Sequence, residues 1–298
     1  DVGPTGYWDS FHVRENNRIG VFFNQNQLGH QVPRAILVDT EPQTLDLTRA
    51  GMLRDLFHEN NLISGQCGAG NNWAKGRYTE GYELYDDVLD TAIRTEAERC
   101  DSLQGFQLFH SLGGGTGSGL GSTVIEKLRE NYPGLMLQTQ SVFPSAKVSN
   151  CVVEPYNCVL SMQYLIEFCD AVFVFDNQNF YQKCFFQNDL SIANLNEKIS
   201  QQIWGINQCL HRSDQNTSMR KMSMNLQTSA RLHFYTAESS TELDLDQKFR
   251  STGLNGRILS QVINVSGFDT NLLKLQLQLI DYPLSTSLSS GEPSVTAI

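Results

Sequence analysis

The feature that most constrains this chain is the segment 113–119, in which five of seven residues are glycine. The segment follows an apolar run typical of a buried strand and opens a pattern typical of a helix. Glycine tolerates positive φ and lacks a Cβ, so the backbone N–H groups of such a loop can close around an anion. The helix behind the loop adds the positive end of its dipole. We therefore predict a phosphate-binding loop at the carboxyl end of a strand, with a plain flexible turn as the alternative.

Two common phosphate-binding patterns are excluded by their spacing. The P-loop pattern G-x-x-x-x-G-K-[ST] needs a lysine after its last glycine, and no Gly-Lys pair occurs in the sequence. The dinucleotide pattern G-x-G-x-x-G fails because Gly115 and Gly117 would need a third glycine where the sequence has Leu120. The chain is therefore predicted to be neither a P-loop ATPase nor an ordinary dehydrogenase.

Composition excludes several other classes of protein. The 298 residues are 40% hydrophobic and 18% charged, which favours a packed core over disorder. The net charge of -10 argues against nucleic-acid or anionic-membrane partners, which both require clustered Lys and Arg. No apolar run approaches the roughly 18 residues of a transmembrane helix. Seven cysteines without a Cys-x-x-Cys pair favour buried, reduced thiols over disulfides or a zinc site.

Apolar segments that alternate with helical patterns predict an α/β fold with a parallel sheet. The strands are predicted at 34–39, 106–111, 136–143 and 171–176. Helical patterns lie around 84–89, 124–128, 157–168, 194–211 and 219–227. Two further strands are predicted at 232–235 and 258–265.

The residues of the glycine loop, Gly-Gly-Gly-Thr-Gly-Ser-Gly, are similar to the loop by which the tubulin superfamily holds GTP. Further stretches resemble that superfamily at 32–42, 68–76, 152–157 and 176–177. The similarity is strong from about residue 4 to about 190, thins to about 235 and is patchy afterwards. It is closest to beta-tubulin, yet divergent, and we expect a chain shortened at both ends.

The resemblance implies a tubulin-type fold in four parts. A GTP-binding domain would span 1–193, a core helix 194–212, a reduced α+β intermediate domain 213–280 and a loose tail 281–298. The family's first strand and first nucleotide loop would precede residue 1, so we expect the sheet to lack one central strand. The segment that makes lateral contacts in the family has no counterpart after Tyr235.

The resemblance also implies a site for GTP or GDP. The phosphates would be held by Ser111, Gly113, Gly114, Gly115, Thr116 and Gly117. The γ-phosphate would be sensed by Gly68, Ala69, Gly70 and Asn71. A plain turn remains the alternative for the second of these loops.

Acidic and amide side chains complete the site that the resemblance implies. Glu41 would approach Mg²⁺, which keeps most of its waters and takes few carboxylates, and Glu154 would contact the ribose. Asn177 and Asn196 would read guanine, because an amide offers both a donor and an acceptor. A solvated acid at Glu41 and buried helix or turn caps at the two asparagines are the alternatives.

One departure from the family pattern concerns the base. The family usually has a Tyr that stacks on guanine four residues before the asparagine that corresponds to Asn196. This chain has Ile192 at that position. An apolar contact is kept while stacking is lost, so we expect weaker GTP binding or a relaxed choice of base.

A second departure concerns hydrolysis, which tubulins complete across a subunit boundary with a neighbour's acid. In the corresponding segment Asn216 is kept, Ser218 replaces an Asp, and Lys221 stands where alpha-tubulin carries its catalytic Glu. A lysine cannot orient water as a base at neutral pH, so no catalytic residue is assigned to this chain. We therefore expect that this chain does not activate hydrolysis on its neighbour, with Asp214 as an alternative acid in that segment. Hydrolysis of its own GTP would need an alpha-like partner with a Glu.

Three functions are compatible with these residues. The first is a GTP-binding subunit of microtubules or microtubule-based organelles, with weak GTPase activity coupled to assembly. Such a subunit would belong to the cytoplasm and cytoskeleton, including centriole, basal body or cilium. The second is a degenerate tubulin-like module that neither polymerises nor hydrolyses GTP, which the Ser218 change favours. The third, an unrelated nucleotide-using dehydrogenase, is disfavoured by the failed glycine spacing.

Overall fold

The computed structural model describes residues 18–26, 29–144, 151–176, 192–211, 218–227, 231–236 and 275–281. Within them the chain forms the strands β1 (Phe23–Gln25), β2 (Gln31–Pro33), β3 (Ala35–Asp39), β4 (Leu62–Ser64), β5 (Leu103–Ser111), β6 (Met136–Phe143), β7 (Ala171–Asp176), β8 (Phe234–Thr236) and β9 (Leu275–Asp281).

The helices of the described residues are mostly short and lie between these strands. They are α1 (Pro42–Ala50), α2 (Trp73–Tyr78), α3 (Glu80–Asp86), α4 (Arg94–Glu98), α5 (Gly121–Asn131), α6 (Glu154–Phe168), α7 (Ile192–His211) and α8 (Met219–Leu226). Two segments, Asp87–Ile93 and Thr116–Leu120, are π-helical, and the second runs directly into α5.

Continuous apolar runs explain why the central strands form where they do. All five residues of β3 are buried, as expected of a strand covered on both faces. The strands predicted at 136–143 and 171–176 are confirmed at the same residues by β6 and β7. The start of α2 is capped by the side chain of Asn72, whose Oδ1 accepts from the N–H groups of Ala74 and Lys75. The strand predicted at 258–265 lies outside the described residues.

The sheet confirms the predicted α/β fold and is mainly parallel. Its order is β4-β3-β9-β5-β6-β7-β8, and β1 pairs with β2 in a separate antiparallel hairpin. The pairs β3–β4, β5–β6, β6–β7 and β7–β8 are parallel. The carboxyl ends of these strands therefore share one edge of the sheet.

The expectation that the sheet lacks a central strand is wrong. β9 lies between β3 and β5 and pairs antiparallel with both of them. Sequence reasoning missed this strand, although its alternation of leucine and glutamine is typical of one, and that alternation does not give its place between β3 and β5. The domain boundaries predicted from the resemblance remain predictions.

Helices cover the sheet on both faces. One face carries a cluster formed by Ile36, Phe106 and Leu108 of the strands with Val124 of α5 and Leu165 of α6. The opposite face carries a second cluster.

That second cluster joins Phe173 and Phe175 of β7 to Ile199 and Ile206 of α7.

In the described parts of the chain, none of the helices is both long and apolar enough to span a bilayer.

The described cysteines are free thiols, as the sequence predicted, but only some of them are buried. Cys158 and Cys169 are buried, and burial raises the pKa of these thiols to about 11 and about 12. Cys67 is exposed, so the prediction of buried thiols is wrong for that residue.

Candidate functional site

Two loops meet at the carboxyl edge of the sheet. The first loop, 65–72, follows β4, and the second, 112–115, follows β5 and leads into the π-helical turn at Thr116. Gly115 marks their closest approach, since a Cβ there would lie 2.7 Å from Ala69 Cβ and 2.8 Å from Asn72 N. Only glycine therefore fits at this position without moving a backbone.

A tight turn shapes the first loop. The N–H of Asn72 donates to the carbonyl of Ala69 at 3.0 Å, and the two residues between them, Gly70 and Asn71, have φ of +56° and +53°. Positive φ at both central positions suits Gly and Asn, which explains why these residue types form the turn.

Thr40, directly after β3, ties the two loops together. Its hydroxyl lies 2.6 Å from the hydroxyl of Thr116 and accepts from the N–H of Ala69 at 3.2 Å. All three residues are buried. The Thr116 hydroxyl is therefore engaged within the protein, and an anion at this loop would meet the backbone N–H of Thr116.

Asn157 of α6 makes a second tie. Its Nδ2 donates to the carbonyls of Asn71 and Gly113, both at 2.8 Å, and its Oδ1 accepts from the N–H of Trp73 at 3.1 Å. This side chain is 4% exposed, so its hydrogen bonds are shielded from water. One amide thus fixes both loops and the start of α2.

His110 of β5 holds the far side of the glycine loop. Its Nδ1 lies 2.8 Å from the carbonyl of Gly117, so Nδ1 carries the hydrogen, and Nε2 accepts from the hydroxyl of Ser141 at 2.8 Å. Complete burial lowers the pKa of His110 to about 4. The ring is therefore neutral at physiological pH.

Two carboxylates flank the loops. The Glu41 carboxylate lies against Gly68, where an added Cβ would overlap it, and the Glu154 carboxylate lies 3.3 Å from the corresponding position on Gly113. Both side chains are half-buried. Among the described residues, no three His, Cys, Asp or Glu side chains form a metal-binding cluster. Glu41 alone still fits Mg²⁺, because that ion is commonly held by one carboxylate, waters and substrate phosphates.

The edge between the loops is open beside two of its glycines. A Cβ added to Gly70 would meet no atom within 4 Å, and one added to Gly114 would meet only Asn71 Oδ1, at 3.9 Å. Ser111 is half-buried beside this edge, and its hydroxyl accepts from the N–H of Gly113 at 3.4 Å.

The predicted base-reading residues are described only in part. Leu210, near the end of α7, packs in a cluster with Met136, the first residue of β6, so α7 runs antiparallel to β6. The start of α7, with Ile192 and the half-buried Asn196, therefore lies toward the carboxyl edge of the sheet. Asn177 lies outside the described residues.

Ser218 has a structural function that the sequence analysis did not assign. It is the N-cap of α8, and its hydroxyl accepts from the N–H of Lys221 at 3.2 Å. Asp214 and Asn216 lie outside the described residues.

Sequence reasoning therefore missed three residues that build this edge, namely Thr40, His110 and Asn157. Asn157 belongs to a stretch that carries the family resemblance, but nothing local distinguishes a bridging amide from a solvated one. His110 lies three residues before the glycine loop, and that closeness was the available signal.

Comparison with known proteins agrees with this geometry. Residues 5–185, more than half of the chain, match the model of the Tubulin/FtsZ family, GTPase domain. The chain is 50% identical over 238 residues to the tubulin beta-8 chain of Oryza sativa subsp. japonica. That alignment covers 78% of this chain and 53% of the relative, so the chain spans about half the length of the curated relative it matches.

Proposed function

The chain belongs to the Tubulin/FtsZ family, and on that premise we propose that it is a tubulin-like subunit that binds GTP or GDP at the carboxyl edge of its sheet. The observation that carries this proposal is the pairing of the two glycine-bearing loops by Thr40 and Asn157. These bonds hold the loops in place before a ligand arrives, which lowers the entropic cost of binding.

The phosphates would lie against the loop formed by Gly113, Gly114, Gly115, Thr116 and Gly117, beside Ser111. The turn at Thr116 runs into α5, and the first N–H groups of a helix have no acceptor within the helix. These donors and the helix dipole favour an anion. The loop of Gly68, Ala69, Gly70 and Asn71 would contact the terminal phosphate, since it packs directly on Gly115.

Glu154 would contact the ribose, and Asn177 and Asn196 would read guanine beside Ile192. The position of Glu154 against Gly113 supports its part of this assignment. Glu41 would hold Mg²⁺, which would neutralise phosphate charge. These residue assignments are proposals.

We further propose that the partners are other tubulin subunits, including an alpha-like subunit, in the microtubule cytoskeleton of the cytoplasm. An exposed apolar patch beside the site supports a protein partner. Val152, Tyr156 and Val159, at the start of α6 and just before it, are 81%, 68% and 70% exposed. Patches of this kind mark interaction surfaces more often than ordinary surface.

Hydrolysis of GTP held by this chain would be completed by an acid of that partner. Toward its own neighbour this chain would present the start of α8. Ser218 caps the helix there, and Lys221 supplies no acidic side chain. We therefore propose weak GTPase activity that depends on assembly.

The test is the nucleotide content of the protein purified gently with Mg²⁺ throughout, then denatured and analysed by chromatography of the supernatant. Near-stoichiometric GTP or GDP is expected. A folded protein without guanine nucleotide would overturn the proposal.

The degenerate module is the second candidate, and the presence of Ser218 where the family has an Asp favours it. A light-scattering assembly assay with an alpha-tubulin partner and GTP separates the two candidates. Polymer formation supports the subunit, whereas a nucleotide-loaded protein that never co-assembles supports the module.

A further inference from the structure

Three helices begin at the carboxyl edge of the sheet, beside the two loops of the candidate site. α2 begins at Trp73 directly after the first loop, the turn at Thr116 leads from the second loop into α5, and α6 begins at Glu154. Because each loop is joined to the helix that follows it, the spacing of these helices sets the spacing of the loops. A contact that fixes α2 relative to α5 therefore acts on the site without touching a ligand.

Glycines let the backbone of α2 lie directly on the turn that follows the second loop. A Cβ added to Gly76 would overlap the carbonyl oxygen of Gly115. One added to Gly119 would overlap the carbonyl oxygen of Trp73 and lie 2.8 Å from the backbone N of Arg77. Since no side chain separates these two backbones, the side chains around the contact must hold them in place.

The side chain of Arg77 reaches from α2 to both neighbouring helices. Its Nη2 donates to Oε2 of Glu126 in α5 at 2.6 Å, and its Cζ lies 4.3 Å from the ring centre of Tyr164 in α6. The rings of Trp73 and Tyr78, with centres 5.7 and 5.4 Å from the same Cζ, complete an aromatic enclosure. The side chain of Arg77 is 11% exposed, so solvent screens this ion pair less than it screens a surface pair.

We propose that Arg77 is a positioning residue, which clamps α2 to α5 and α6 and so holds the first loop at the distance from the second loop that a terminal phosphate requires. The inference rests on the proposed function, which assigns the terminal phosphate to the first loop and the other phosphates to the second. Loosening the clamp should weaken the binding of GTP more than that of GDP, which has no terminal phosphate. A residue that only stabilised the fold would affect both nucleotides alike.

The test compares the full chain carrying Arg77→Met with the unaltered protein. Methionine keeps a long apolar side chain against the rings and removes the charge and the donors. Dissociation constants for GTP and GDP are measured by titration of fluorescent analogues with Mg²⁺ present, and folding is checked by urea denaturation. The matched control is Arg94→Met, which breaks a pair with Glu98 within α4, where both side chains are more than two-thirds exposed.

We expect Arg77→Met to weaken GTP binding about tenfold, which corresponds to about 1.4 kcal/mol, and GDP binding by less than about threefold. Arg94→Met should change neither affinity. Arg77→Lys keeps a charge beside Glu126 and the rings, so it should recover most of the loss. Equal losses for the two nucleotides, or unchanged affinity for both, would overturn the proposal.

A milder variant decides the same question if Arg77→Met does not fold. Glu126→Gln removes the ion pair but keeps the shape of the side chain, and it should weaken GTP binding about threefold with a smaller change for GDP. The absence of any difference between the two nucleotides in this variant would also overturn the proposal.

Hydrogen exchange in protein without nucleotide separates the clamp from the proposed function. The N–H groups of Ala69 and Asn72 are hydrogen-bonded in the first loop, and they should exchange faster in the Arg77 or Glu126 variant, with β6 unchanged. An unaltered chain that binds no guanine nucleotide would overturn the proposed function alone. Unchanged exchange at both amides would overturn the clamp, whatever the nucleotide result.

Discussion

The two faces of the sheet differ in the hydrogen bonding of the buried polar side chains that they carry. On the face that carries α5 and α6, Asn157 and His110 have a partner for each of their polar side-chain atoms. The amide of Asn157 makes three hydrogen bonds, and both ring nitrogens of His110 are bonded. Two of these bonds end on the two loops of the candidate site, at Asn71 and Gly113.

On the face that carries α7, buried amides are satisfied less completely. Gln107 donates to Asn207 at 3.0 Å, but among the described residues its Oε1 has no hydrogen-bond partner. Among the same described residues, Nε2 of Gln138 and both polar side-chain atoms of Gln140 also have no hydrogen-bond partner. All three glutamines are 2% exposed or less.

The difference shows that polarity within a core has two separate consequences. Where each polar atom is paired, as at Asn157, the network fixes backbone positions that a ligand can use. Where polar atoms have no partner, as is the case for Gln140 within the described residues, burial costs free energy.

The largest expected effect is on ligand binding at the paired face. Thr116→Pro together with Gly117→Val removes the N–H of residue 116 and fills the space beside the loop, so GTP binding should be lost. Fluorescent-nucleotide titration measures this. Gly134→Ala is the matched control, since a Cβ there meets nothing within 4 Å. Unchanged affinity in a folded double variant would remove the loop from the proposed site.

Asn157→Leu should lower the free energy of unfolding by about 4 kcal/mol. It leaves the buried N–H of Trp73 and the buried carbonyl of Gly113 unpaired, and each lost partner costs about 1–3 kcal/mol. Urea denaturation measures the change. Asn157→Asp, which keeps the acceptor for Trp73, separates loss of the acceptor from loss of the donors. A loss below 1 kcal/mol in the leucine variant would contradict the bridging function.

His110 should make stability depend on pH. Its folded-state pKa of about 4 lies below the unfolded value near 6.5, so the unfolded chain binds the proton first as pH falls. The free energy of unfolding should therefore fall by about 3 kcal/mol between pH 6.5 and pH 4. Below pH 4, His110 should cause no further change. Urea midpoints of His110→Gln should decline less over the same interval. Parallel declines in the two proteins would exclude His110 as the cause.

The smallest effect, and of opposite sign, is expected on the α7 face. Gln140→Leu removes two buried polar atoms without partners among the described residues, so stability should rise by about 1 kcal/mol. Gln140→Asn, which keeps the amide but shortens the side chain, serves as the control. Urea denaturation that shows destabilisation by leucine would mean that this amide has a partner in the protein.

Much of the fold could be predicted because the buried parallel strands are continuous apolar runs. β6 and β7 begin and end where the sequence predicts, and β3 differs by one residue. The place of β9 in the sheet could not be predicted in this way. Its alternation of leucine and glutamine is typical of a strand, but local periodicity does not say which strands it pairs with.

The candidate site also contains residues that the sequence predicted and residues that it did not. The glycine loop, Glu41 and Glu154 were predicted, and the structure brings them to one edge. Thr40, His110 and Asn157 were not, because a threonine, histidine or asparagine acquires its function from partners distant in sequence. Asn157 and Asn71 are 86 positions apart.

The amino-acid sequence alone was enough to predict the family, the alternation of strands and helices, and a glycine loop that no P-loop or dinucleotide pattern explains. Local properties sufficed for these, since φ preference, periodicity and the missing Cβ belong to single residues and their neighbours. Tertiary packing sets which segment fills the centre of the sheet and which buried amides are paired. Those outcomes depend on hydrogen-bond geometry between distant residues, which forms only once the chain has packed.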